Sequence, residues 1–126
     1  MTRNKNEGVT KVTVELLMTP EVVTVAPQTT VAEVRTQMID EGISALPVVG
    51  GGELLGIVTS TDVIRTQDPE LTAAQIMSDH VFTLPPYAKI DVAARLMRNH
   101  GIHHVVITLH KEVVGLLASY DLLALI

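Results

Sequence analysis

A chain of 126 residues, 47% hydrophobic and 18% charged, can bury one compact core and is too short for two domains of ordinary size. A net charge of -5, no basic run, and Phe82, Tyr87 and Tyr120 as the only aromatics argue against nucleic-acid binding, which needs a basic stripe and stacking rings. With no cysteine there is no disulfide framework, Cys-based zinc site or thiol nucleophile, and the absence of a secretory signal or an 18-residue apolar run predicts a cytoplasmic chain without membrane insertion.

A flexible tail is expected over 1–11, followed by a short helix at 15–17. The β-branched run Val22, Val23, Thr24, Val25 predicts a strand that Pro27 stops. Thr30 and Glu33 have capping-box spacing, and Val31, Val34 and Met38 keep one apolar face on the helix that follows. Gly42 supplies its left-handed stop. Two buried strands are expected over 46–49 and 54–58, with a hairpin turn at 50–52. A second helix begins near Thr61 and Asp62 and is expected to carry Val63 and Ile64 inward. After a polar link over 66–70 the same order returns. There Lys89 replaces the capping threonine, Leu109, His110 and Lys111 replace the glycine-rich turn, and Ile90, Ala93, Ala94 and Met97 form the helix face.

That return is a true repeat. Shifted by 59 residues so that Met18 lies over Met77, the chain places Thr24 over Thr83, Pro27 over Pro86 and Met38 over Met97 without a gap. Gly42 and Ile43 meet Gly101 and Ile102, Gly56 meets Gly115, Ser60 meets Ser119, and Asp62 meets Asp121. Apolar periodicity alone would not preserve these glycines and aspartates. The expected organisation is one repeat over 12–66 and another over 67–126, together one α+β domain of two β-α-β-β-α units packed sheet to sheet with pseudo-two-fold symmetry.

Met18-Thr19-Pro20, Gly42-Ile43-Ser44-Ala45-Leu46-Pro47-Val48-Val49 and Gly56-Ile57-Val58-Thr59-Ser60-Thr61-Asp62, in that order, closely resemble the CBS repeats of Bateman modules. The resemblance covers nearly all of the chain beyond its first residues. It implies a regulatory module that binds an adenine nucleotide (AMP, ADP or ATP, with or without Mg2+) or a related adenosyl compound in clefts between the repeats. It also implies a homodimer. The first cleft would combine Ile57, Thr59, Ser60 and Asp62 with Val81, Ile102, His103 and His104. The second would combine Ser119 and Asp121 with Thr19, Val22, Ile43 and Ser44. Ala118 stands where the signature wants Ser or Thr, so the second cleft lacks one hydroxyl and the first is expected to bind more tightly.

The chemistry of the signature supports this reading. A strand that runs into a helix start leaves unpaired N–H groups that suit a phosphate. Thr59 and Ser60 add hydroxyls, and the two oxygens of Asp62 can accept both vicinal hydroxyls of a ribose. The same residue types also suit a plain helix cap, so the segment alone leaves both readings open.

His100, His103 and His104 cluster in sequence, but neighbours on a strand point to opposite faces, so no metal site is assigned. A histidine near a phosphate would change charge across physiological pH. No nucleophile elbow, P-loop or Rossmann glycine pattern occurs, and no catalysis is expected. Since the chain stops at Ile126, just past the second repeat, output is expected through a regulated partner protein in trans. The alternative is a ligand-free dimerisation or scaffold module.

Overall fold

The structure, a computed structural model, describes residues 11–126. The expected tail over 1–11 therefore lies outside the described residues apart from Lys11. In chain order the elements are α1 (Val14–Leu17), β1 (Thr19–Pro20), α2 (Val31–Glu41), β2 (Ala45–Gly50), β3 (Glu53–Thr59), α3 (Ser60–Arg65), α4 (Ala73–Ile76), β4 (Thr83–Leu84), α5 (Ile90–His100), β5 (His104–Leu109) and β6 (Glu112–Ala118). A 3₁₀ helix, Ser119–Leu125, closes the chain. The α+β class is as expected. No helix among the described residues is long and apolar enough to cross a membrane.

Two compact units form, a central one over Val23–Val81 and a terminal one that joins Phe82–Ile126 to the segment ending at Val22. They do not coincide with the sequence repeats, because each repeat's lead-in segment packs in the other unit. In the terminal unit Val14 N–H donates to the Ala88 carbonyl and Ile90 N–H to the Val12 carbonyl, both at 2.8 Å. In the central unit Ala73 N–H donates to Thr29 and Val31 N–H to Leu71, both at 2.7 Å. These four bonds obey the repeat offset residue for residue. Val14 and Ala73 are fully buried, each in the core of the unit it joins.

The terminal unit holds a four-stranded sheet in the order β1-β6-β5-β4, with β4 parallel to β5 and the other pairs antiparallel. The central unit pairs β2 with β3 and completes the same pattern with single bridges, Val25 to Val48 and Ile57 to Ser78. Thus the expected strand over 22–25 reduces to one residue. Val25 N–H donates to Pro47 and the Val25 carbonyl accepts from Val49, while no neighbour continues the ladder. The β-branched run was sufficient for an extended chain but not for a partnered one.

Local signals that rest on one side chain hold. Thr30 and Glu33 form the reciprocal capping box, and Gly42 ends α2 in the left-handed region with φ 65°. Lys89 offers α5 no side-chain cap. Val31, Val34 and Met38 are buried on α2, as are Ile90, Ala93 and Met97 on α5, whereas Ala94 is only half-buried. Ile64 corrects the reading of α3. Val63 is buried at 4% exposure, but Ile64 is 80% exposed. Consecutive helical residues lie about 100° apart, and a six-residue helix with a single core contact buries only one of them. The last helix of the second repeat is also 3₁₀ rather than α.

Candidate functional site: two strand-to-helix corners

Each unit carries one corner where its last strand turns into a helix. In the central unit the Thr59 N–H and the Thr59 Oγ1 hydroxyl both donate to Oδ2 of Asp62, at 2.8 and 3.0 Å. The carboxylate thereby binds the strand end and α3 together. Oδ1 of Asp62 takes no hydrogen bond among the described residues, and the side chain is half-buried. Thr66 Oγ1 closes the other end of α3 by donating to the Asp62 main-chain carbonyl at 2.7 Å.

Ser60 N–H donates to the Ser44 carbonyl at 2.8 Å, which brings Ile43 and Ser44 beside Thr59, Ser60 and Asp62 in one unit. The corner is therefore flanked by the start of its own repeat's β2. Ile57, also named from the signature, is buried, and its backbone exchanges two hydrogen bonds with Ser78 at 3.0 Å. Its contribution here is to hold Ser78. Val81 ends the central unit, half-buried.

The terminal unit repeats the design with different chemistry. Ala118 N–H donates to Oδ2 of Asp121 at 2.8 Å, the counterpart of the Thr59 bond, but there is no hydroxyl to add a second. Ser119 N–H donates to the His103 carbonyl at 2.8 Å, and Oγ of Ser119 lies 3.3 Å from Nδ1 of His103. Ile102, His103 and His104 thus share a unit and a corner with Ser119 and Asp121. Burial pushes the pKa of His104 below the ordinary value of 6.5; the neighbouring His103 adds to this and Asp121 opposes it. Thr19 is exposed on β1, paired with Leu116, and Val22 is half-buried at the end of the same segment. Among the described residues no group of three or more His, Asp or Glu comes together to hold a metal ion.

Two features of these corners escape a reading of the segments alone. One is the pairing of His103 with Ser119. The other is the seating of Met18 over Gly115 and of Met77 over Gly56. The repeat offset carried the signal for the second, since it preserves both methionines together with both glycines.

The CBS domain family model matches the chain twice, over residues 12–68 and 73–126. The CBS domain-containing protein YhcV of Bacillus subtilis is 32% identical over 110 residues, covering 83% of this chain and 79% of that protein. An inosine-5'-monophosphate dehydrogenase of Korarchaeum cryptofilum is 34% identical over 102 residues, or 80% of this chain but only 21% of the enzyme. Among solved structures, the CBS domain pair of protein MJ0100, in complex with 5-methylthioadenosine and S-adenosyl-L-methionine, superposes with a TM-score of 0.85 at 26% identity, covering 90% of this chain and 94% of that one. With two family matches that together span the described residues almost entirely, the chain belongs to the CBS domain family and carries a tandem pair of its repeats.

Proposed function

We propose that this chain is a regulatory sensor that binds AMP, ADP, ATP or a related adenosyl compound and catalyses nothing itself. The observation that carries the reading is the duplicated corner, above all Thr59, Ser60 and Asp62. There a half-buried carboxylate keeps Oδ1 uncommitted beside a helix start. Oδ1 accepts ribose hydroxyls while Oδ2 holds the corner, so the capping role and the binding role use different atoms. Ile43 and Ser44 flank that corner, and Ile102, His103 and His104 flank the matching corner of Ser119 and Asp121. The adenosyl ligands of the MJ0100 pair support this ligand class. Occupancy reaches a homodimeric partner copy or a regulated protein in trans through different ligand affinity for two states.

The test is a thermal-shift screen of AMP, ADP, ATP and S-adenosylmethionine, with and without Mg2+, on the native chain and on Asp62→Asn. Asparagine keeps one acceptor for Thr59 and removes the charge and the second acceptor. A ligand at 100 times its Kd adds about 2.7 kcal/mol, a shift of several degrees. A shift that Asp62→Asn loses supports the sensor. The full engagement of Oδ2 in capping favours a second reading, a scaffold whose corners are purely structural, and a screen with no shift from any adenosyl compound would establish it.

A further inference from the structure

At the terminal corner the side chain of His103 reaches Ser119, with Nδ1 3.3 Å from Oγ. The backbone bond beside this contact runs from Ser119 N–H to the His103 carbonyl at 2.8 Å, and Ser60 N–H makes the matching bond to Ser44 at the same distance. The two corners share a frame and differ in what stands on it. His103 aligns with Ser44 across the repeat, so one corner has an imidazole where the other has a hydroxyl. Resting on the adenosyl reading above, we propose that His103 is the specificity residue of the pair. By taking up a proton it makes the terminal corner select anionic adenosyl compounds over uncharged ones, while the central corner does not respond to pH.

The side-chain bond supplies the means. In the neutral form that carries its proton on Nε2, an imidazole can only accept at Nδ1, and Ser119 commits its single hydroxyl proton to that bond. A protonated imidazole donates from both nitrogens. Nδ1–H then donates to Oγ, and the Ser119 hydroxyl is released to donate elsewhere. One proton from solvent thus frees a donor and adds a positive charge. An imidazole makes this change between about pH 5 and 8, whereas serine makes none there.

The groups around His103 leave its proton to decide the charge of the corner. His103 is exposed, so solvent and an occupant both reach it. α5 brings Arg98, which lines the same groove, and His100, whose ring lies on Phe82 with centroids 4.4 Å apart. β5 brings His104, whose pKa burial holds below the ordinary 6.5, so that it resists protonation. The closing helix brings Asp121 as its only charged residue, and β6 ends there in Leu117 and Ala118. Arg98 and Asp121 oppose each other in sign.

The test titrates adenosine 5′-sulfate, whose charge is constant over the range, and uncharged adenosine into the full chain at pH 8 and pH 5.5. Backbone amides of Ser60 and Asp62 report the central corner, and those of Ser119 and Asp121 the terminal one. We expect the affinity of the sulfate at the terminal corner to rise about tenfold at the lower pH, as a neutral hydrogen bond becomes charge-assisted. Adenosine shows no such rise, and neither compound shows one at the central corner. In His103→Ser the rise disappears, and in Ser119→Ala it shrinks, because the charge remains without the freed hydroxyl. Unperturbed amide spectra of the free variants show that they fold. Saturable binding whose affinity does not rise, a rise that survives His103→Ser, or an equal rise for adenosine would overturn the switch and leave adenosyl binding in place. No saturable shift from either compound at either pH would overturn the adenosyl reading and the switch with it.

Discussion

Met77 occupies the space that a side chain on Gly56 would need. A Cβ at Gly56 would collide with Sδ of Met77 and come within 2.7 Å of the Ser78 carbonyl oxygen. At the matching position, the three atoms nearest a Cβ on Gly115 all belong to the side chain of Met18, with Cγ at 2.9 Å and Cε at 3.0 Å, so no backbone atom comes as close as the Ser78 oxygen does at Gly56. Each glycine thus admits the methionine that precedes the other repeat's first strand.

The two contacts respond differently to the same substitution. Gly56→Ala is expected to cost about 1–3 kcal/mol, the usual range for overpacking, because a backbone oxygen cannot swing aside. Gly115→Ala costs less, since a flexible thioether can turn away. Urea denaturation measures both. Adding Met18→Ala should remove most of the Gly115→Ala penalty, whereas Met77→Ala should recover only part of that of Gly56→Ala.

The hairpin tips give a second comparison. Gly51 and Gly52 turn the first with φ of 60° and 78°, while His110 and Lys111 adopt 51° and 69° in the second. Both tips have the positive φ pair of a type I′ turn, which favours Asn-Gly. Left-handed backbone costs a non-glycine residue about 1–2 kcal/mol. The double variant His110→Asn, Lys111→Gly should raise the urea midpoint by the equivalent of about 1 kcal/mol, part of the relief being offset by the unfolded-state entropy of the new glycine. An unchanged or lower midpoint would show that the exposed tip already relaxes the strain.

A third prediction concerns acid. The pKa of His104 in the folded chain lies below its ordinary value, chiefly through burial. The unfolded chain therefore binds that proton first as pH falls. The stability tied to the neutral ring is fully present above about pH 6.5 and is lost as pH drops through the lower folded pKa. Melting temperatures from pH 8 to 5 should decline less steeply in His104→Gln than in the native chain. Parallel curves would remove His104 from the acid response.

The fourth prediction restores a missing group. Asp62 accepts two hydrogen bonds from Thr59, whereas Asp121 accepts one from Ala118. Ala118→Thr should add the second and stabilise the terminal unit by about 0.5–1.5 kcal/mol. Calorimetry tests this directly. If Asp121 also binds ligand, the same change should bring its affinity closer to that of the first corner, and a stability gain with no such change would confine the residue to capping.

Much of the fold was legible because it rests on single residues with one physical purpose. Thr30 with Glu33, and Gly42, announced the start and stop of α2 without reference to any distant part. The strand over 22–25 and the burial of Ile64 were misread because both depend on partners. Extended backbone becomes a strand only where a neighbour offers groups in register, and two adjacent apolar residues on a short helix compete for one core. Of the corner, the residue types and their spacing were visible at Thr59, Ser60 and Asp62. Invisible were the division of labour between the two oxygens of Asp62 and the contact of His103 with Ser119, which lie sixteen positions apart. Only folding brings such pairs together.

The exchange of lead-in segments bears on how such a chain arose. A lone repeat would carry a segment that its own body does not receive, and would lack the segment that its body does. Two identical copies of such a half could satisfy each other by swapping that segment reciprocally. Fusing the copies end to end would turn the exchange between molecules into an exchange within one, with every donor and acceptor preserved. On this view Val14 and Ala73 mark the seam of an ancestral dimer. The halves now differ at their corners, with Ala118 opposite Thr59 and His103 opposite Ser44, so two partners joined in one chain need no longer be equal.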